Sequence, residues 1–322
     1  MLPCISPGGS ETNSSHRRRR SPLEVIYRAG VFDDGAVQRS IRLAVVAVAS
    51  SLVVLIVYVV AIRTALGQRL DDVAFARRSV VTTGTTRRMD RLLGTVSVAS
   101  LTLMGGALML VAFARRRATL AVAVGVAMLG AVVTTEVLKH WVLTRPVYPD
   151  TTGVGYNTFP SGHATIGMVL SLGVVMVAPV HFRRIALVGA AFTATAFGTA
   201  VLASGWHRPS DTIGAYFVSL AWFSATSSVL VLIEQRAGAR HHPRPEPPPS
   251  VPLLVAAAIG VFALLMFVLW RSIDATGLHT VVYAAPYIAA VIGIDAAGVL
   301  VVGTYYVLDR TSTGGRGRLH TP

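Results

Sequence analysis

The chain has 322 residues, of which 53% are hydrophobic and only 14% are charged, and its mean hydropathy is +0.60. This composition is too apolar for a soluble domain of that length, so it indicates an integral membrane protein. The net charge of +14 comes without interleaved aromatic and basic residues or a nucleic-acid-binding motif, which argues against a nucleic-acid partner. The only cysteine, Cys4, excludes an intrachain disulfide and a thiolate metal cluster.

Apolar runs of about 20 residues, each long enough to cross a bilayer as a helix, recur along the chain. Residues 1–39 precede them and are polar and rich in arginine, so they are predicted to be a disordered, basic cytoplasmic tail. The predicted spans are 41–62, 92–113, 119–143, 161–180, 185–204, 212–233, 251–270 and 281–308. The expected fold is therefore an all-α, polytopic helical bundle with eight spans.

These spans fall into two groups. Residues 40–233 form a predicted six-span membrane domain, and residues 234–250, rich in Pro, His and Arg, form a stiff cytoplasmic linker. Residues 251–308 are predicted to be a two-span C-terminal hairpin, for which the alternatives are oligomer formation, shielding of the bundle and contact with a partner. Residues 309–322 form a second cytoplasmic tail.

The distribution of basic residues predicts the orientation. With eight spans, four basic segments share one side of the membrane: the N-terminal arginine run, Arg115–Arg117, Arg183–Arg184 and Arg236–Arg244. Cytoplasmic loops carry an excess of Lys and Arg, so a plasma-membrane protein with both termini in the cytoplasm is expected. The polar segment between the first two spans, Arg63 to Arg91, then faces outward although it holds several arginines.

Because successive spans cross the membrane in opposite directions, helix ends that are far apart in the sequence can lie on the same side of the membrane. The third span ends at Lys139–Pro146, the fourth begins at Ser161, the fifth ends at Gly205 and the sixth begins near Asp211. All four termini emerge on the outer side, where residues that are far apart in the chain can converge.

Five of these residues suit an oxyanion. Lys139 and Arg145 supply positive charge and hydrogen-bond donors. Ser161, Gly162 and His163 open a helix whose free N–H groups and positive dipole end favour a phosphate.

A second set suits phosphoryl transfer. A neutral histidine can act as a nucleophile when a carboxylate holds its tautomer, and His207 and Asp211 lie four residues apart, about one helical turn. The other histidine, His163, could then protonate the departing oxygen.

The order of these motifs resembles that of the type 2 phosphatidic acid phosphatases, or lipid phosphate phosphatases. The motifs are Lys139 to Arg145-Pro146, Pro160-Ser161-Gly162-His163 and His207-x-x-x-Asp211, within a resemblance from about Leu92 to Ile233. The resemblance implies a phosphatase-like core of six helices. It also implies no metal or other cofactor.

The resemblance assigns a role to each site residue. His207 would be the nucleophile that forms a phosphohistidine, Asp211 its orienting partner and His163 the acid that protonates the leaving group. The residues implied to hold the phosphate oxygens are Lys139, Arg145, Ser161 and the Gly162 amide.

The first motif is one residue short of the family pattern, because five residues rather than six separate Lys139 from Arg145. On an ideal helix a seven-residue step turns about 700°, whereas a six-residue step turns about 600° and places the pair on different faces. Either the helix unwinds before Pro146, or the flexible Lys139 side chain reaches around it.

The third motif lacks an arginine. The family's Ser-Arg pair falls on Ala200 and Val201, which leaves one phosphate contact without its guanidinium. Either another arginine replaces it or activity is weak. Arg208 is adjacent but can point away, so we expect an arginine of the outer segment to lie within about 10 Å of His207, a distance beyond which screening removes most of its influence.

Two acids outside these motifs also need partners. Glu136 lies one turn before Lys139 and is predicted to pair with it. Asp295 lies within the last predicted span, where an acid needs a partner or a function.

The leading hypothesis is a membrane phosphatase that hydrolyses a lipid phosphate or diphosphate at the outer leaflet, with the lipid phosphate and the surrounding membrane lipid as its partners. A lipid-linked phosphotransferase is a related alternative, because a phosphohistidine can pass its phosphoryl group to an alcohol. A weakly active or non-catalytic lipid-phosphate-binding membrane protein is an alternative from a different class.

Overall fold

The computed structural model describes residues 34–95, 98–149, 151, 156–237 and 278–310. Regular secondary structure in these residues is helical. The α-helices are α1 (Asp34–Val57), α2 (Ala65–Ala76), α3 (Thr83–Gly94), α4 (Val98–Ala114), α5 (Ala118–Val137), α6 (Gly162–Val177), α7 (Arg183–Ala203), α8 (Pro209–Arg236) and α9 (Leu278–Arg310). Residues 1–33, most of the predicted linker, the seventh predicted span and most of the predicted C-terminal tail lie outside the described residues.

The structure confirms an all-α polytopic membrane protein. In the described part of the chain, five helical stretches are long and apolar enough to cross a membrane: 35–62, 118–142, 180–203, 209–236 and 282–309. A sixth crossing is available if the bent pair α3 and α4 is counted as one. The helix α6 is apolar but has only 16 residues.

The second predicted span, from Leu92 to Phe113, is not a single helix. Helix α3 ends at Gly94, a separate helix α4 begins at Val98, and the two meet at 62°. Leu92 and Leu93 therefore belong to α3. An apolar run alone did not reveal this break.

The polar segment after the first span is helical rather than an open loop. Thr64 caps α2 by accepting a hydrogen bond from the Gly67 N–H (3.0 Å), and Thr82 caps α3 by accepting one from the Thr85 N–H (3.4 Å). A threonine oxygen at this position satisfies one of the free N–H groups of the first turn. These two short helices pack against the bundle: α2 contacts the start of α8, and α3 contacts the last turns of α7.

Helix α8 lies at the centre of the bundle and contacts α1, α5, α6 and α9. Its Phe223 ring packs edge-on against Tyr305 of α9, with ring centroids 5.7 Å apart, and the Ser227 and Tyr305 hydroxyls are 2.8 Å apart. Asp295, which was expected to need a partner or a function, accepts a hydrogen bond from the Thr199 hydroxyl at 3.0 Å. Helix α9 thus packs directly against the helices that carry the site motifs.

Candidate active site

The starts of helices α6 and α8 lie side by side. The Ser161 N–H donates to the Asp211 carbonyl at 3.0 Å, which links the second motif to the third across 50 residues. The Ser161 hydroxyl caps α6 by accepting from the Ala164 N–H (3.3 Å). Because both helices begin at this end of the bundle, the positive ends of both dipoles point toward the same space.

His207 and Asp211 are in contact, as their spacing predicts. Nδ1 of His207 lies 3.3 Å from Oδ2 of Asp211, and the Asp211 side chain is fully buried. The same Oδ2 accepts the Arg208 N–H at 3.1 Å and so caps the start of α8. In the neutral tautomer that directs its Nδ1–H to the carboxylate, the imidazole of His207 has Nε2 as its unprotonated nitrogen.

Arg145 shares the same carboxylate. Its Nη2 lies 3.1 Å from Oδ1 of Asp211 and 3.4 Å from the Thr158 hydroxyl, and its side chain is only 3% exposed. Among the described residues, its Nε and Nη1 are buried without a hydrogen-bond partner. Buried donors are rarely left unpaired in proteins, so this guanidinium is suited to an incoming oxyanion.

Lys139 reaches the first turn of α6. Its Nζ pairs with Oε1 of Glu136 at 2.8 Å, which confirms the predicted pair. A Cβ atom added at Gly162 would lie 3.0 Å from that Glu136 oxygen and 3.4 Å from Nζ of Lys139. Gly162 therefore permits the close approach of this ion pair to the start of the helix.

The short spacing of the first motif is accommodated by unwinding of the helix. Residues Leu138–Val142 form a π-helical turn, and the backbone is extended at Leu143. The Tyr58 hydroxyl then holds the extended segment, since it donates to the Thr144 carbonyl (2.8 Å) and accepts from the Thr144 N–H (3.2 Å). Of the two alternatives for the first motif, the unwound helix is the one found.

His163 lies at the same end of the bundle as His207. Its half-buried ring packs edge-on against Trp206, the neighbour of His207, with ring centroids 4.8 Å apart and an interplanar angle of 77°. The predicted site residues Lys139, Arg145, Ser161, Gly162, His163, His207 and Asp211 are thus gathered where four helix ends meet.

Two residues of the site region were missed by the sequence analysis. Asp72 accepts from Nε of Arg208 at 2.6 Å, and Asp71 accepts from the Ser210 N–H (3.1 Å) and from the Ser210 hydroxyl. Burial, followed by the nearby charge of Asp211, raises the pKa of Asp71 to about 7. The signal was an acidic pair within a basic segment, which would not be expected on a merely solvated surface.

A sequence model of the PAP2 superfamily matches residues 120–233. The match extends from the first turn of α5 to near the end of α8, so it contains all the predicted site residues and agrees with the resemblance that the motif order indicated. Comparisons with curated proteins and with solved structures gave no match. Helices α1 to α3, with Asp71 and Asp72, lie outside the matched segment.

Proposed function

Because residues 120–233 match the PAP2 superfamily, which indicates phosphatase activity on phosphate esters, we propose that the protein hydrolyses a lipid phosphate or diphosphate at the outer leaflet through a phosphohistidine on His207. The observation that carries this proposal is the buried Arg145 guanidinium. It holds the orienting carboxylate Asp211 with one nitrogen, and its other two nitrogens, Nε and Nη1, have no hydrogen-bond partner within the part of the chain that the structure describes.

In the first step, Nε2 of His207 attacks the phosphorus atom of the substrate. A P–N bond forms, the P–O bond to the lipid breaks, and the bonding electron pair leaves on the lipid oxygen. His163 gives that oxygen its proton, so an alcohol or a lipid monophosphate departs. The Asp211 carboxylate stabilises the positive charge that develops on His207.

In the second step, water attacks the phosphohistidine. His163, now neutral, takes the proton from the water, and the P–N bond breaks as the new P–O bond forms. Inorganic phosphate leaves and both histidines return to their starting states. Arg145, Lys139 and the start of α6 stabilise the charge on the phosphoryl oxygens in both steps.

An apolar crevice beside the first motif supports a lipid substrate. It has a volume of about 270 Å³ and lies between α1, α5 and α8, where Tyr58, Thr134 and Trp222 form part of its wall. Leu138 and Leu143 also line it, and they are close in the chain to Lys139 and Arg145. A hydrocarbon chain attached to a phosphate in the site could lie in this crevice out of water.

The positions of basic residues support an outward-facing site. Nη1 of Arg115 donates to the Val177 carbonyl at 2.6 Å, so the loop before α5 lies at the end of α6 that is opposite Ser161. Further basic residues form ion pairs near helix ends on the same side of the bundle: Arg39–Asp309, Arg117–Glu234 and Arg183–Asp309. An excess of Arg on one face is typical of the cytoplasmic side.

The test is release of inorganic phosphate by purified protein in lipid micelles, with a metal chelator present. Lipid monophosphates and diphosphates serve as substrates. We expect release from wild type and a loss of at least about 10³-fold in His207→Ala. His181→Ala, a change of an exposed histidine beyond the far end of α6, is the matched control and should stay within about twofold of wild type.

Three outcomes decide between the candidate functions. Equal release by wild type and His207→Ala would refute the nucleophile. Transfer of phosphate to an added alcohol, in preference to water, would identify a phosphotransferase. Lipid-phosphate binding without turnover in either form would identify the non-catalytic binding protein that the missing arginine at Val201 allows.

A further inference from the structure

The position where the third motif should hold an arginine is sealed by apolar side chains. Val201 is fully buried and forms a small cluster with Ala200 and with Leu93 of α3, and Met89 packs against the same cluster. Leu93 is itself fully buried. The phosphate contact that this position makes in the family pattern therefore has to come from another residue.

Arg78 reaches the backbone next to His207, the proposed nucleophile. Gly205 has a positive φ of 71°, and a Cβ atom there would lie 2.3 Å from Nε of Arg78 and 3.1 Å from its Nη2. Gly205 precedes His207 by two residues. Because consecutive Cα atoms are about 3.8 Å apart, the Cα atoms of Gly205 and His207 are at most about 7.6 Å apart. The guanidinium thus lies directly over the turn that leads into His207.

The Phe75 ring helps to position Arg78. Cζ of Arg78 lies 4.0 Å from the ring centroid, and its Nη1 donates to the Phe75 carbonyl at 2.8 Å. Cζ of Arg208 lies 5.3 Å from the same centroid, so two guanidinium groups share one aromatic ring. A cation over an aromatic face is stabilised, but two cations close together also repel each other.

Arg78 differs from the other basic side chains of the site because it has no acidic partner within ion-pair distance among the described residues. The others are paired: Lys139 with Glu136, Arg145 with Asp211, and Arg208 with Asp72. Burial and, secondarily, the charge of Arg208 lower the pKa of Arg78. A half-buried guanidinium without a counter-charge, beside a second guanidinium, is a favourable place for an anion.

We propose that Arg78 supplies the phosphate contact that Val201 cannot make, so that a substrate-binding arginine reaches the active site from the segment between α2 and α3. This inference rests on the proposed function. It deepens that function by extending the phosphate site to a part of the chain that the family match does not cover. It also accounts for an arginine on the side of the membrane where few are expected.

Arg77 provides a matched control. It is the neighbouring residue and carries the same charge, but its Cζ lies 3.7 Å from the ring centroid of Tyr283 on α9. The variants are Arg78→Ala, Arg78→Lys and Arg77→Ala. We expect Arg78→Ala to lower kcat/KM by about 10²- to 10³-fold, the usual effect of removing one donor to a developing oxyanion. Arg78→Lys should keep part of the activity, and Arg77→Ala should stay within about twofold of wild type.

A chemical rescue separates binding from a structural role. Millimolar guanidinium added to Arg78→Ala should restore part of the rate, whereas it should leave Arg77→Ala unchanged. Equal rates for Arg78→Ala and Arg77→Ala would overturn the proposal.

Binding of inorganic phosphate tests the proposal separately from turnover. Phosphate should raise the melting midpoint of wild type and of Arg77→Ala and have little effect on Arg78→Ala, because a ligand stabilises only the form that binds it. A phosphate effect of this pattern without any turnover would refute the proposed hydrolysis and support the Arg78 contact. An equal midpoint shift in all three proteins, or none in wild type, would overturn the Arg78 contact.

Discussion

Replacing Asp211 with asparagine should destabilise the protein strongly, because one buried carboxylate serves three donors. Its Oδ1 accepts from Arg145 at 3.1 Å, and its Oδ2 accepts from the Arg208 N–H at 3.1 Å and faces His207 at 3.3 Å. An asparagine has a single carbonyl oxygen. If that oxygen takes the place of Oδ2, the amide NH₂ of the new side chain faces the Arg145 guanidinium, donor against donor.

The magnitude follows from the burial of the pair. The side chains of Arg145 and Asp211 are 3% and 0% exposed. Removing one partner of a buried ion pair costs about 3–5 kcal/mol, since the other charge remains buried and uncompensated. Removing both charges is much less costly, so Arg145→Met added to Asp211→Asn should recover about 2 kcal/mol or more of the loss.

The measurement is equilibrium unfolding in mixed lipid and detergent micelles, followed by circular dichroism. A matched control is the ion pair of Arg117 and Glu234, whose atoms are 3.0 Å apart but whose side chains are 23% and 25% exposed. Glu234→Gln should cost only about 0–1 kcal/mol. The reasoning is refuted if Asp211→Asn costs no more than Glu234→Gln, or if the double variant costs the sum of the single changes.

Two further predictions concern orientation and pH. In a Cys4→Ser background, Val147→Cys lies at a position that is 65% exposed in the loop between α5 and α6, beside the site, and it should react with a membrane-impermeant maleimide in intact cells. Arg184→Cys should not react, and the reverse result would contradict an outward site. The folded-state pKa of Asp71 is about 7, above its ordinary value of 3.8, so between these pH values the folded protein binds a proton that the unfolded chain releases. The contribution of this group to stability should therefore fall as pH rises from about 4 to 7. Asp71→Asn keeps an acceptor for the Ser210 N–H and removes that charge, so its melting midpoint should fall less than that of wild type between pH 5 and pH 8; parallel declines would contradict the assignment.

The membrane helices were predictable because their apolar runs match the thickness of a bilayer. The first predicted span ends at Ile62, which is also where the π-helical turn after α1 ends. The helix starts at Asp34, however, and α8 continues to Arg236, so the helical backbone extends into the predicted polar tail and linker. Apolarity marks where a helix crosses lipid, and it says little about where backbone hydrogen bonding stops.

The segment between the first two membrane helices was predicted less well. The threonines that cap α2 and α3 were visible in the sequence, but the low apolar content indicated only a polar segment that faces outward. What holds the segment is tertiary: Asp71 and Asp72 bind groups at the start of α8, more than 130 residues later. No local pattern identifies such a partner.

The site was predictable where partners are close in the chain and not where they are distant. The spacing of His207 and Asp211 anticipates their contact, and the helix-opening motif at Ser161 anticipates its cap. The bond from Arg145 to the same Asp211 spans 66 residues and depends on how the helix ends are packed. The catalytic roles of these residues remain predictions until the variants are measured.

Asp71 and Asp72, which bind the start of α8, determine how much of the chain is needed for a stably folded protein. A fragment cut at the borders of the recognised segment, 120–233, would keep every motif residue and lose Asp71, Asp72 and Arg78. Expressed alone, such a fragment should leave Arg208 without the Asp72 carboxylate and the turn before His207 without the Arg78 side chain. A shortened version of the protein should therefore begin no later than Thr64, the cap of α2.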